Sequence, residues 1–283
     1  MSPQDTIFYE KIERIFNPKS SALIMGILNV TKDSFYDGGR YITEDKWLNQ
    51  TKLMIEQGAD IIDIGACSTR PGALNITEKE EIEQLIPCIL SIRKKFPEIL
   101  ISADTFRASV AEKAFASGAN IINDISGGTM DEQMFSTVSK LKAPYILMHM
   151  QGYPKTMQQD PKYKNVLEDV LQFFKNKLNE LKKLGLEKVI IDPGFGFGKT
   201  VEHNYQLLNN LEKFQQLGHP LLVGISRKSM INKILVINNK ESLNGTIILN
   251  TIALEKGVSI LRVHDVKEAR EAVKIVEYLK GFK

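Results

Sequence analysis

The sequence predicts an α/β fold: a single-domain (β/α)8 TIM barrel over residues 21–283, behind a short N-terminal extension of residues 1–20. Three observations carry this. Eight short, β-rich apolar runs recur along the chain, continuous rather than alternating, as in parallel strands buried on both faces. A helical pattern follows each run. Eight such pairs in 283 residues match the size and order of this barrel, at about 250 residues. An open doubly wound sheet would give the same alternation, but the count of eight favours the closed form.

The expected strands lie in "ALIMGILNV" from Ala22, "DIIDIGA" from Asp60, "ILISADT" from Ile99 and "NIINDIS" from Asn120. The second half supplies "PYILMHM" from Pro144, "KVIIDPG" from Lys188, "PLLVGIS" from Pro220 and "SILRVHD" from Ser259. After Gly39, "TEDKWLNQTKLMIEQG" reads as a helix with Thr43 as N-cap and Gly58 as its stop. "TEKEEIEQLIPCILSIRKKF" opens at Thr77, with Glu80 at the capping-box position. "RASVAEKAFASG", "DEQMFSTVSKLK", "PKYKNVLEDVLQFFKNKLNELKKLG", "VEHNYQLLNNLEKFQQLG", "SLNGTIILNTIALEKG" and "DVKEAREAVKIVEYLKG" supply the rest. "GADIIDIG" beside "GANIINDIS" hints at a repeated βα unit. The first twenty residues read as an amphipathic or irregular lead-in.

Composition narrows the class. Hydrophobic content of 43% and charged content of 25% are those of a soluble globular protein. A net charge of +3 with scattered lysines describes a solvated surface rather than a nucleic-acid binder. Cys67 and Cys88 form neither a disulfide framework nor a metal-ligand spacing, and read as free thiols of a reducing compartment. The N-terminus lacks the apolar core of a signal peptide and no run is long enough for a bilayer, so a cytoplasmic protein with no membrane partner is expected.

In such a barrel the chemistry belongs at the C-terminal strand ends. Nearly all of them carry polar groups here: Asn29; the loop "DIGACSTRPGA"; Asp104; Asn123 and Asp124; Met148 and His149; Asp192; Ser226 to Ser229; Arg262 and His264. A lone Asp after a strand is usually a cap or a turn. Their convergence on one mouth is what a purely structural barrel does not need. Arg262 and His264 share a strand face, and with Lys228 they occupy the loops where this fold binds phosphate, which suggests a phosphate or diphosphate. Asp104, Asn123 and Asp192 form a deeper group suited to a flat heterocycle rich in N–H groups; a metal between the two aspartates is the alternative.

"IIDPGFGFGKT", Ile190 to Thr200, looks like a phosphate cradle but is not one of the familiar kinds. A Walker loop needs glycine where Pro193 stands, and the dinucleotide fingerprint needs one at Lys199. It reads instead as the sixth βα loop, with Asp192 as its working group, glycines allowing close backbone approach, and Phe197 covering an aromatic ring.

These segments resemble a known family. "MGILNVTKDSFYDGG", "DIGACSTRPGA", "ISADTF", "ANIINDISG", "MHMQGYPKTMQ", "DPGFGFGK", "GISRKS" and "RVHDV" are similar, in order and spacing, to the motifs of the dihydropteroate synthases, from about Leu23 to Asp265. The resemblance implies a homodimeric transferase of folate biosynthesis and a target of sulfonamides. It would join (7,8-dihydropterin-6-yl)methyl diphosphate to 4-aminobenzoate, giving 7,8-dihydropteroate and diphosphate. By the same resemblance, Asp104, Asn123, Asp192 and Lys228 hydrogen-bond the pterin, Met148 and Phe197 wall it, and Arg262 stacks on it. Arg262, His264, Asn29 and Thr69 serve the diphosphate, with Asn29 also a ligand of Mg²⁺. Phe35, Ser68, Thr69, Arg70, Pro71 and Ser229 serve the aminobenzoate, and Asp37, Arg70 and Lys228 are expected as catalytic residues.

The chain departs from the family pattern at Lys32, where proline is usual, at Tyr36, at Ala66-Cys67 in place of Gly-Glu, and at Arg107 in place of lysine. None of these is among the expected pterin or diphosphate groups. Two rivals share the pterin pocket: a barrel that moves a methyl group from methyltetrahydrofolate to a corrinoid protein, and a degenerate paralogue that binds without turnover. The first leaves "STRPG", Lys228-Ser229 and "RVHDV" unexplained; the altered first and second loops are the only support for the second.

Overall fold

Each expected apolar run forms a parallel strand in the computed structural model, which describes residues 3–30, 40–67, 76–153, 156–157 and 160–282. The strands are β1 (Leu23–Asn29), β2 (Ile61–Gly65), β3 (Leu100–Asp104), β4 (Ile121–Asp124), β5 (Tyr145–Met148), β6 (Val189–Asp192), β7 (Leu222–Val223) and β8 (Ile260–Val263). The helices are α1 (Pro3–Phe16), α2 (Arg40–Glu56), α3 (Glu78–Lys95), α4 (Ala108–Ala116), α5 (Met134–Leu141), α6 (Val166–Lys183), α7 (Val201–Asn209), α8 (Ser229–Leu235), α9 (Leu243–Glu255) and α10 (Val266–Lys280). The sheet runs β6-β5-β4-β3-β2-β1-β8-β7 with every pair parallel, and a parallel bridge between Ile191 and Leu221 joins its two ends. The barrel expected from the sequence is therefore the one observed.

Side chains on a strand alternate between faces, and the barrel turns this into two cores. Leu23, Met25, Ile61, Leu100, Ile121, Ile146, Ile190, Leu222 and Ile260 cluster with one another inside the barrel. Their strand neighbours, such as Ile24, Ile62, Ile101, Ile122, Leu147 and Ile191, pack outward against the helices. The continuous apolarity of the runs follows from this double burial. The N-terminal segment, read as a lead-in, is helical: α1 buries Ile15, and Phe8, Ile12 and Phe16 pack against the inner cluster, so the helix closes the barrel floor.

Caps place most helices where the sequence puts them. Thr77 and Glu80 form the expected capping box on α3, and Gly58, at φ +100°, ends α2. The expectation of Thr43 as N-cap is corrected: α2 begins at Arg40, three residues earlier, because nothing in Arg40-Tyr41-Ile42 opposes a helix. The helix expected from Val201 breaks at Asn210 and continues as a 3₁₀ segment, Leu211–Leu217. An unexpected short helix, α8, follows β7. Among the described residues no helix is long and apolar enough to cross a membrane.

Candidate active site

The alternation that builds the inner core also builds the site. Two residues beyond each buried apolar side chain the same face carries a polar or adaptable one: Ile61 is followed by Asp63, Ile121 by Asn123, Ile146 by Met148, Ile190 by Asp192 and Ile260 by Arg262. On β3 the sequence is Leu100, Ser102, Asp104, and on β1 it ends at Asn29. Above an apolar floor, the C-terminal half of the barrel is thus lined by hydrogen-bonding groups, most of them buried.

Asp63 organises the deep group. Its carboxylate, with no exposed surface, accepts from Arg262 Nε at 2.6 Å and from Asn123 Nδ2 at 3.1 Å. Arg262 Nη2 donates to Asp104 Oδ2 at 2.8 Å. Burial and the neighbouring Asp63 push the Asp104 carboxyl up to about 7. Burial alone would weaken the Arg262 proton affinity, but the Asp63 and Asp104 carboxylates outweigh it and hold the guanidinium charged. Gly65 stands beside this group, and a Cβ there would come to 3.4 Å from Asp104 Oδ2.

The sixth loop completes the pocket. Asp192 is buried, burial raises its carboxyl against the pull of Lys228, and its Oδ1 caps the Gly194 N–H at 2.8 Å. Lys228 reaches in from the loop after β7, donates to the Phe195 carbonyl, and lies 4.6 Å from the Phe197 ring centroid. Burial pushes its ammonium down to about 8, partly offset by Asp192. Gly194, Gly196 and Gly198 all have positive φ, and a Cβ on Gly194 would lie 2.0 Å from the His149 carbonyl oxygen.

At the rim, Ser226 Oγ accepts from the His264 backbone N–H at 3.2 Å and faces His264 Nδ1 at 3.0 Å. The Ser226 hydroxyl thus ties the His264 backbone and ring to the loop after β7. Arg227, at φ 56°, makes a bidentate pair with Asp265, at 2.9 and 2.7 Å, that ties the loop after β7 to the loop after β8.

Asp104, Asn123, Met148, Asp192, Phe197, Lys228 and Arg262 thus stand together around one pocket. Arg262, expected at both sub-sites, is bonded here to the deep carboxylates. Asn29, Ser229 and His264 lie exposed at strand or helix ends. Phe35, Asp37, Ser68, Thr69, Arg70 and Pro71, with Lys32 and Tyr36, lie outside the described residues. Sequence reasoning missed Asp63 and Lys199. The signal for Asp63 was a carboxylate at the inward position of a buried strand. Of the departures, Ala66 is buried, and Arg107 pairs with buried Glu81, sits 3.7 Å from Cys67 Sγ, and donates to the Ile76 carbonyl at 2.8 Å.

The model of the family "Pterin binding enzyme" matches residues 25–264. The dihydropteroate synthase of Haemophilus influenzae is 45% identical over 254 residues, covering 89% of this chain and 92% of that one. This chain belongs to the dihydropteroate synthase family. As a member it is a transferase. Its fold superposes on the Yersinia pestis dihydropteroate synthase crystallised with a sulfonamide drug, at a TM-score of 0.85 and 40% identity, over 92% of this chain and 95% of that one. It also matches the Xanthomonas albilineans dihydropteroate synthase in complex with 7,8-dihydropteroate, at a TM-score of 0.83 and 31% identity, over 93% and 95% of the two chains.

Proposed function

We infer that this chain condenses (7,8-dihydropterin-6-yl)methyl diphosphate with 4-aminobenzoate to give 7,8-dihydropteroate and diphosphate. The observation that carries the substrate assignment is the placing of buried Asp192 and the Lys228 ammonium on one side of the pocket, within electrostatic reach of each other, beside the Asp63–Arg262–Asp104–Asn123 network. An amino-pyrimidinone edge offers N–H donors to a carboxylate and a carbonyl to an ammonium, and this site holds both in a water-poor pocket. Asp192 takes the donor edge, Lys228 the acceptor edge, and Asp104 and Asn123 the far side of the ring. Met148, Phe197 and the plane of Arg262 enclose its faces.

The reaction needs a leaving group stabilised and an amine brought into line. The C–O bond from the methylene to the diphosphate breaks, leaving a cation that the electron-rich pterin delocalises; the aminobenzoate nitrogen then attacks and loses a proton. The His264 imidazole, at the rim beside Ser226, stabilises the departing diphosphate. No side-chain nucleophile is called for, and burial, with the nearby Glu81 carboxylate, pushes the Cys67 thiol up to about 12, so it stays neutral. Among the described residues no cluster of three or more His, Cys, Asp or Glu side chains could hold a metal. Mg²⁺ binds through few protein oxygens together with substrate phosphates. The Asn29 carboxamide, at the inward end of β1, is the protein oxygen that would hold it, and the ion would neutralise diphosphate charge.

A homodimer is proposed through α9 and α10, which pack against each other and carry exposed Ile248, Ile252, Ile275 and Tyr278. Such stripes at i and i+3 or i+4 spacing suit a second copy of the same face. A cytoplasmic location is proposed on the free cysteines.

The test is product formation from the two substrates, with and without Mg²⁺, beside Asp192→Ala. Mg²⁺-dependent dihydropteroate that vanishes in the variant supports both reaction and pocket. Binding without product would point to the degenerate paralogue, and a trapped covalent pterin–protein adduct would refute the dissociative route.

A further inference from the structure

Lys199 is a buried ammonium that the chemistry above does not use. It follows the glycine-rich loop and precedes the N-cap of α7, Thr200, whose capping box with His203 fixes the chain at that point. From there the side chain folds back under the loop. Its Nζ lies 3.0 Å from the Gly194 carbonyl, 3.1 Å from that of Phe197, 3.2 Å from that of His149 and 3.0 Å from His149 Nδ1. An ammonium has three protons, so these four acceptors share them. Two belong to the loop after β6, and two to His149, the residue just after β5.

The rest of the loop is held the same way. Tyr163 donates to the Gly198 carbonyl at 2.8 Å, Lys228 to that of Phe195, and Asn204 Oδ1 accepts from the Gly196 N–H at 2.7 Å. The two loops touch backbone to backbone, since a Cβ on Gly198 would lie 2.3 Å from the Gln151 carbonyl oxygen. Pressed together, carbonyls repel unless a cation sits between them. Lys199 is that cation. Burial, with Asp192 opposing it and Lys228 adding to it, brings its ammonium down to about 7, and the surrounding acceptors favour the charged form. The His149 ring packs edge-on to Phe173 at 4.9 Å; burial and Lys199 both disfavour its cation, and the donor that faces its Nδ1 at 3.0 Å is the Lys199 ammonium.

We propose that Lys199 is a positioning residue for the pterin. It clamps the end of β5 to the sixth loop, so that Met148, Asp192 and Phe197 stand in their binding arrangement before substrate arrives. The inference rests on the pterin pocket assigned above. A side chain that only stabilised the fold would affect both substrates alike; this one acts on the pterin side.

The experiment is a calorimetric titration of Lys199→Met with (7,8-dihydropterin-6-yl)methyl diphosphate, beside wild type, with steady-state kinetics in which each substrate is varied. The expected result is a Kd weakened roughly 10- to 100-fold, the loss typical of hydrogen bonds to a charged group. KM for the pterin substrate rises in step, while KM for aminobenzoate at saturating pterin and kcat stay within about 3-fold of wild type. Wild-type Kd in the variant overturns the proposal and leaves the pocket standing. Equal loss on both substrates overturns it in favour of a general structural role. Wild type that binds no pterin diphosphate fells the pocket and the proposal together. Should Lys199→Met not fold, Lys199→Gln, which keeps a donor in the cage, is read by the same criteria.

Discussion

Replacing Asp63 by asparagine tests the network that sequence reasoning missed. The change keeps shape and removes one charge from a fully buried site. An asparagine offers one oxygen and one NH₂. Turned to accept from Arg262 Nε, its oxygen takes the place of Oδ2, 2.6 Å from Nε and 3.1 Å from Asn123 Nδ2, while its NH₂ takes the place of Oδ1, 3.3 Å from the same Asn123 NH₂. Two donors then face each other. Turned the other way, it sets its NH₂ against the guanidinium. Removing one partner of a buried ion pair costs about 3–5 kcal/mol, and the lower end applies because Asp104 still neutralises Arg262. At ~2–4 °C per kcal/mol for a chain somewhat smaller than this one, Tm should fall by about 6–12 °C. Asn123 and Arg262 both lose their orientation, so pterin diphosphate should bind about 100-fold more weakly, close to 2.7 kcal/mol. Differential scanning calorimetry and isothermal titration read the two quantities. A variant that melts within about 2 °C of wild type and binds within about 3-fold would show that Asp63 is a passive core residue.

Gly194→Ala should be strongly destabilising, by ~3 kcal/mol or more, because its Cβ would meet the His149 carbonyl oxygen at 2.0 Å in a left-handed backbone; chemical denaturation measures this, and a loss below about 1 kcal/mol would refute the close approach. Asp104 has its folded-state carboxyl raised by burial and by Asp63 to about 7. Across the window from its ordinary value to about 7 the folded state therefore binds more protons than the unfolded one, and stability falls as pH rises. Asp104→Asn should flatten that slope in Tm against pH, and an unchanged slope would assign it to other buried acids. Cys67, held neutral with its thiol near 12, should react with a thiol-directed disulfide reagent at pH 8 far more slowly in the native protein than in denaturant, and equal rates would contradict its burial.

Several features were legible in the sequence for reasons of burial. A parallel strand covered on both faces must be apolar throughout, so eight strands could be counted and the barrel inferred. Chemistry in this fold sits at the C-terminal strand ends, so Asp104, Asn123, Asp192 and Arg262 stood out as polar groups where apolar ones had just ended. Local rules also placed Thr77 and Glu80 as a capping box, since both partners lie within one helical turn.

The tertiary structure alone decided who meets whom. Asp63 and Arg262 are 199 residues apart, and they pair because closing the barrel sets β8 and β2 on either side of β1. No pattern in either segment encodes that partnership. Lys199 read as the end of a glycine-rich motif; only the approach of two loops with opposed carbonyls made it a buried cation among four acceptors. The first helix looked like a lead-in because its apolar stripe has no local partner; the open floor of the barrel supplies one. Sequence by itself determined which residues are buried and where polarity interrupts burial, because those depend on short-range periodicity. The pairing of charges and the sharing of loops depend on distances set by chain closure, and so belong to the fold.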